Sequence, residues 1–109
     1  MKERNQDLAK KKLKPYRKAI DELDAKILEL FGQRFAVVRK VAKIKIDNNI
    51  PAFIGDRVDE VRENAVRLAK KHNIDPAFMR TLYTLLIYQS CATEDEIKFK
   101  AIKKKLKKT

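Results

Sequence analysis

The chain has 109 residues, enough for one domain, and 39% of them are charged, whereas only two are glycine and three are proline. This composition favours a helical protein over a sheet protein, which needs more turn residues. A lone cysteine, Cys91, excludes a disulfide framework and a four-cysteine zinc site, and a lone histidine, His72, argues against a histidine metal site or catalytic triad. With no signal-peptide pattern at its start and no long apolar run, the chain is expected to be soluble and cytoplasmic.

The net charge of +12 is concentrated at the two ends of the chain. Residues 1–18 contain eight basic and two acidic residues, and residues 97–109 contain seven lysines and no acidic residue. Residues 19–96 are almost balanced, with twelve basic and thirteen acidic residues. The segment that should form the folded body is therefore nearly neutral.

The terminal lysine runs, Lys10–Lys12 and Lys103–Lys105, contain no interleaved aromatic residues. Such runs are typical of solvated, mobile chain ends rather than of base-stacking surfaces, so nucleic-acid binding is only a minority interpretation. We expect three segments: a basic, flexible N-terminal extension at 1–12, a helical domain at 13–100, and a lysine-rich tail at 101–109.

A heptad seam marks the first predicted helix, because apolar residues recur at alternating steps of three and four. No proline interrupts residues 16–46, although Gly32 weakens a helix by ~1 kcal/mol relative to alanine. A helix of about 30 residues would be roughly 45 Å long, more than a lone chain of this size can cover. We therefore expect a second chain to cover the seam, which comprises Leu13, Tyr16, Ile20, Leu23, Ile27, Leu30, Val37, Val41 and Ile44.

Turn residues separate this helix from two more. The stretch from Asp47 to Pro51 predicts a break, after which a second helix is expected over about 55–72, with Val58, Val61, Ala65 and Leu68 on one face. Asp75 is a predicted N-cap, with Pro76 in the first turn of a third helix that continues towards the lysine tail. The sequence thus predicts an all-α chain of three helices, in the order long, short, long.

Two cations of the first helix are informative because they lie on its apolar face. Arg34 occupies a seam position between Leu30 and Val37, and Lys45, eleven residues on, projects from nearly the same face about three turns away. One interpretation is that both face one enclosed space, and the alternative is that their aliphatic stems pack while their charged ends reach water. Arg17 is roughly 25 Å of helix away from Arg34, so only an antiparallel partner helix could bring an Arg17 to the same place.

Polar residues of the other helices are further candidates. Ser90 and Glu94 are four residues apart and continue the face of Tyr83 and Ile87, although a helix that emerges into solvent would show the same pattern. Arg57 stands at the start of the second helix, where its side chain could fold back over the first helix or remain an ordinary surface arginine.

In this order and spacing the residues resemble the all-helical chorismate mutase family, which includes the related 4-amino-4-deoxychorismate mutases and isochorismate-pyruvate lyases. The resemblance covers residues 13–100 and implies an intertwined homodimer with two equivalent sites, each completed by an arginine of the other chain. It also implies a cofactor-free cytoplasmic enzyme that converts chorismate to prephenate in aromatic amino-acid biosynthesis. The pattern comprises Arg17, Asp24, Arg34, Lys45, Pro51, Arg57 and Ser90.

The resemblance also implies a role for each residue. Arg17 of the partner chain and Arg34 would hold the carboxylates of the substrate, and Lys45 would donate to the ether oxygen of the bond that breaks. Ser90 would contact the ring carboxylate, and Arg57 would help to shape the anionic site. Arginine suits these carboxylate contacts because its planar guanidinium can bind both oxygens at once.

Two positions depart from the family pattern. Val58 stands where typical mutases have a glutamate that receives the ring hydroxyl, which leaves 4-amino-4-deoxychorismate mutase and isochorismate-pyruvate lyase open as alternatives. Glu94 stands where many members have a glutamine that donates to the ether oxygen, and a carboxyl group can donate only when it is protonated. The alternative outside enzymes is a basic helical dimer that binds nucleic acid or another protein through its termini.

Overall fold

The computed structural model describes the backbone of residues 2–108 and the side chains of residues 5–108. Within this part the chain forms three helices and no strand: α1 (Lys2–Asp47), α2 (Gly55–Lys71) and α3 (Pro76–Lys108). The predicted all-α fold with its long-short-long order is confirmed. None of the described helices has the length and apolar character needed to cross a membrane.

Helix α1 begins earlier than predicted, at Lys2 rather than near residue 16, and Pro15 lies inside it. Proline has no N–H to donate to the carbonyl four residues before it and costs about 3 kcal/mol in a helix interior. Good helix formers such as Leu8, Ala9 and the following lysines continue the helix on its N-terminal side. The described parts of residues 1–12 and 101–109 are helical, and the proposed segment boundaries stay a prediction.

The break after α1 lies where the Asp and Asn residues predicted it. Asn49 has a φ of 55°, in the left-handed region that asparagine tolerates, and the N–H of Ile50 donates to the carbonyl of Lys45 at 2.8 Å. The side-chain amide of Asn48 donates to the carbonyl of Ile44 at 2.8 Å. These bonds add donors to carbonyls of the last turn, which also accept the backbone N–H of Asn48.

The turn between α2 and α3 is built in a similar way. Asn73 has a φ of 57°, and the N–H of Ile74 donates to the carbonyl of Ala69 at 2.8 Å. The carboxylate of Asp75 accepts the N–H of Ala77 at 3.0 Å, which confirms the predicted N-cap.

Helices α2 and α3 pack against each other and contribute most of the buried apolar side chains. The predicted face of α2 is confirmed at Val58 and Ala65, whereas Leu68 is 39% exposed and Ala69 is buried in its place. A small side chain there lets the two helices approach closely. Among the described residues the buried apolar set is Ala42, Val58, Ala65, Val66, Ala69 and Ile87.

The chain divides into two compact units, one ending at Arg34 and one beginning at Phe35. All of the buried apolar residues belong to the second unit. The first unit consists of α1 residues alone, and its seam residues, Leu13, Tyr16, Ile20, Leu23, Ile27 and Leu30, are exposed in the single chain.

Candidate active site

The centre of the candidate site is an ion pair in the second unit, between the half-buried Lys45 and the buried Glu94. Lys45 is in the last turn of α1, and its Nζ lies 2.9 Å from Oε1 of Glu94 on α3. Their side chains are only 18% and 7% exposed. Removing such a pair from water is costly unless each charge has good partners, so a buried pair of this kind needs a structural or functional reason.

The backbone between α1 and α2 supplies a second partner for Lys45. Its Nζ donates to the carbonyl of Ala52 at 2.9 Å. An ammonium group has three N–H bonds, and the hydrogen bond to Ala52 uses one of them. Lys45 is thus held in one position and can still donate to a bound molecule.

The carboxylate of Glu94 has fewer hydrogen-bond partners than the ammonium group of Lys45. Its Oε1 is buried and makes no hydrogen bond, so the contact with Lys45 is an ion pair without hydrogen-bond alignment. A buried carboxylate oxygen in this state favours any ligand that offers a hydrogen-bond donor.

Cys91 lies beside this pair on α3. Its Sγ is 3.8 Å from the carbonyl oxygen of Ala52, which therefore accepts from both the thiol and Lys45. Burial raises the pKa of the thiol, and the negative charges of Glu94 and Asp95 add to that effect, while the positive charge of Lys45 opposes it. The thiol is therefore neutral at neutral pH.

Spacing alone could have identified Cys91, because it precedes Glu94 by three residues and so shares its helix face. The role of Ala52 could not have been found in this way. Its contact is made by a backbone carbonyl, which every residue carries, and depends on the path of the chain after Asn49.

The remaining predicted residues of the second unit have different surroundings. Ser90 is buried one turn before Glu94, and its hydroxyl donates to the carbonyl of Leu86 at 2.9 Å. Val58 is buried on α2. Arg57 is exposed and forms an ion pair with Glu60 on its own helix, so its place in a binding site stays a prediction.

Arg34 and Arg17, which are predicted to hold the carboxylates of the substrate, both belong to the first unit. Arg34 is half-buried, and Arg17 is exposed. Both lie on the continuous helix α1, where 17 residues correspond to roughly 25 Å. The two arginines of one chain therefore cannot hold one small molecule together, and their roles stay predictions.

Comparison with known proteins shows which family this chain belongs to. Residues 16–95 match the family described as chorismate mutase type II. The chain belongs to this family. The match begins just before Arg17 and ends just after Glu94, so it includes every residue predicted for the site.

Individual relatives carry two kinds of name. The chain is 36% identical to a 4-amino-4-deoxychorismate mutase of Streptomyces pristinaespiralis, over 73% of this chain and 62% of that protein. It is 30% identical to a protein of the same name from Streptomyces venezuelae, over 76% and 81% of the two chains. It is 33% identical to a chorismate mutase of Methanocaldococcus jannaschii, over 78% and 86%. The chain therefore spans less than two thirds of the first of these relatives.

Proposed function

We propose that this protein is a cytoplasmic, cofactor-free chorismate mutase, which rearranges chorismate to prephenate in aromatic amino-acid biosynthesis. The observation that carries the proposal is the half-buried Lys45 ammonium, held at 2.9 Å by both Ala52 and Glu94 in a chain of this family. A fixed cation with hydrogen-bonding capacity left over is what an oxygen that gains negative charge requires.

The reaction needs no nucleophile. One carbon–oxygen bond of the substrate breaks while one carbon–carbon bond forms, and no atom leaves the molecule. The protein must therefore fold a flexible dianion into a compact shape and place donors where charge develops. In this proposal Lys45 donates to the ether oxygen, whose negative charge grows as its bond to carbon breaks.

Arginines provide the other part of the site, since the substrate has two carboxylates. Arg34 of one chain and Arg17 of its partner each bind one carboxylate through paired N–H bonds. The distance of roughly 25 Å between these positions along α1 supports a second chain as the source of Arg17. The exposed apolar seam of α1 supports the same conclusion, because a partner helix would bury it.

Ser90 and Arg57 complete the proposed site. The Ser90 hydroxyl, which donates to the carbonyl of Leu86 in the structure, would donate to a ring carboxylate instead. Arg57 would exchange its exposed partner Glu60 for the anionic substrate. Exposed ion pairs contribute ~0.2–1 kcal/mol, so this exchange costs little.

A second candidate function is the rearrangement of 4-amino-4-deoxychorismate. The two Streptomyces relatives bear that name, at 36% and 30% identity. In addition, the buried residue at position 58 is valine, which cannot accept a hydrogen bond from a ring hydroxyl. The resemblance associates a non-acidic residue at this position with mutases that act on 4-amino-4-deoxychorismate and with isochorismate-pyruvate lyases.

A product assay distinguishes these functions. Purified protein is supplied separately with chorismate, 4-amino-4-deoxychorismate and isochorismate, and the products are identified by mass and ultraviolet absorbance. We expect prephenate from chorismate. A kcat/KM that is higher for the amino compound would establish the second candidate, and release of pyruvate from isochorismate would establish a lyase. No turnover of any of the three would contradict the proposal.

A further inference from the structure

The C-terminal end of α3 has a pattern that the proposed mutase activity does not use. We call residues 98–108 the basic helix end. It contains seven lysines and no acidic residue, and it is helical throughout. Three large apolar residues, Phe99, Ile102 and Leu106, are interspersed among these lysines and are 66%, 48% and 70% exposed.

The apolar residues of the basic helix end share one face. At 100° per residue, Phe99, Ile102 and Leu106 fall within an arc of roughly 60°, and the lysines occupy the rest of the circumference on both sides. A narrow apolar face flanked by lysines is typical of helices that lie in the interface of a membrane, with apolar side chains among the acyl chains and ammonium groups at the lipid phosphates.

We propose that the basic helix end binds the surface of an anionic phospholipid membrane. Charge complementarity carries the choice of partner, because seven lysines within eleven residues match the density of negative charge on such a surface. The same helix face supplies apolar side chains that a lipid interface can bury. The protein would be held at the membrane peripherally, and no described helix spans it.

Two other partners fit less well. A second copy of this chain carries the same basic ends and a body whose acidic and basic residues nearly balance, so it offers no net negative charge to attract the lysines. Nucleic acid would neutralise the lysines, but phosphates would leave Phe99 and Ile102 in water. Only the lipid surface accommodates both the lysines and the apolar face.

Vesicle co-sedimentation tests the proposal with the full chain. Vesicles of phosphatidylcholine alone are compared with vesicles containing phosphatidylserine, at low and at physiological salt. We expect binding to the anionic vesicles alone, weakening as salt rises. The double variant Lys103→Gln/Lys104→Gln should weaken binding about tenfold or more, because each lysine near an anionic surface contributes to the attraction.

Matched variants test whether binding depends on the basic helix end itself or on any exposed lysine or apolar residue. Lys70→Gln/Lys71→Gln removes two exposed lysines from the end of α2 and should bind like the unaltered protein. Phe99→Ser should weaken binding severalfold, whereas Phe78→Ser, at another exposed position of α3, should not.

Two results would overturn the proposal. One is equal or absent binding to the two vesicle types. The other is binding to duplex RNA that is tighter than to anionic vesicles and unaffected by Phe99→Ser, which would identify nucleic acid as the partner. Mutase activity is measured in parallel on the same samples, so a failure of membrane binding is distinguishable from a failure of the proposed reaction.

Discussion

At the scale of single residues, the account depends on charged groups that stand where apolar residues are expected. Lys45 was recognisable in the sequence because it occupies the face of a heptad seam, and the structure places it against the buried Glu94. The hydrogen bond from Lys45 to the carbonyl of Ala52 could not be predicted, because every residue has a backbone carbonyl. The surroundings of Arg57 were also unforeseen, because its pairing with Glu60 depends on rotamers.

Arg34 gives the first prediction at this scale. Arg34→Ala should lower kcat/KM by a factor that corresponds to several kcal/mol, because the variant loses a paired hydrogen-bonding contact with a carboxylate. Arg39→Ala is the matched control, as it removes an exposed arginine from the same helix and should leave steady-state kinetics unchanged. A loss below about tenfold for Arg34→Ala would mean that this side chain only packs its stem and reaches into water.

Glu94 gives a prediction about pH. An ionised carboxylate has no hydrogen to donate, so only the protonated carboxyl group could donate to the ether oxygen. A role for Glu94 as this donor therefore predicts that activity falls as pH rises. In Glu94→Gln the amide donates at every pH, so the profile of kcat against pH should become flat. A wild-type kcat that is constant from mildly acidic to alkaline pH would contradict this role.

Cys91 gives a prediction that does not depend on catalysis. Because burial raises the pKa of its thiol, little thiolate exists at neutral pH in the folded protein, and thiolate is the form that reacts. Alkylation by iodoacetamide should be slower in the folded chain than in urea, and the difference should shrink at strongly alkaline pH. Since Cys91 is the sole cysteine, the mass of the intact protein reports the reaction directly. Equal rates in the two states at neutral pH would rule out this environment.

At the scale of helices, the ends were predictable and the length of α1 was not. Asn49, Asn73 and Asp75 determine turns through their own backbone and side-chain chemistry, so local sequence locates these turns closely. Helix α1 continues through Pro15 as far as Lys2, because the chain on both sides of that proline favours helix. The exposure of Leu68 also escaped prediction, because periodicity identifies a face but not which residue meets the neighbouring helix.

The cap of α3 can be measured. Asp75→Ala removes the acceptor for the N–H of Ala77 and should lower the free energy of unfolding by ~1 kcal/mol. Asp95→Ala removes the same side chain from an exposed position inside α3 and should not be destabilising, because alanine is the better helix former. Urea unfolding at one fixed protein concentration compares the two. Equal losses in both variants would show that the hydrogen bond of Asp75 contributes nothing.

At the scale of the whole molecule, the apolar seam of α1 explains why a second chain is proposed. The family and the three-helix fold could be derived from the sequence, and both are confirmed. The pairing of two chains stays a prediction, because a seam indicates that something covers it without specifying the partner helix. In the proposed dimer, burial of the seam and assembly of the site are the same event, since the covering helix brings Arg17.

Removing the terminal lysines distinguishes the proposed enzyme from the alternative function, a dimer that binds nucleic acid. Removing residues 1–12 and 100–109 should leave kcat and KM for chorismate within about twofold of the full chain, because no proposed site residue lies there. The same truncation should abolish any salt-sensitive binding to nucleic acid. Loss of catalysis in a truncated protein that retains its helical circular-dichroism spectrum would assign the terminal segments a part in the site.

Complementation between two inactive variants tests the shared site most directly. Chains carrying Arg17→Ala and chains carrying Lys45→Ala are produced together with different affinity tags, and the mixed dimer is isolated through both tags. One of its two sites then combines an intact Lys45 with an intact Arg17 from the other chain, so each mixed dimer should recover about half of the wild-type activity. A mixed dimer as inactive as its two parents would contradict a site built from both subunits.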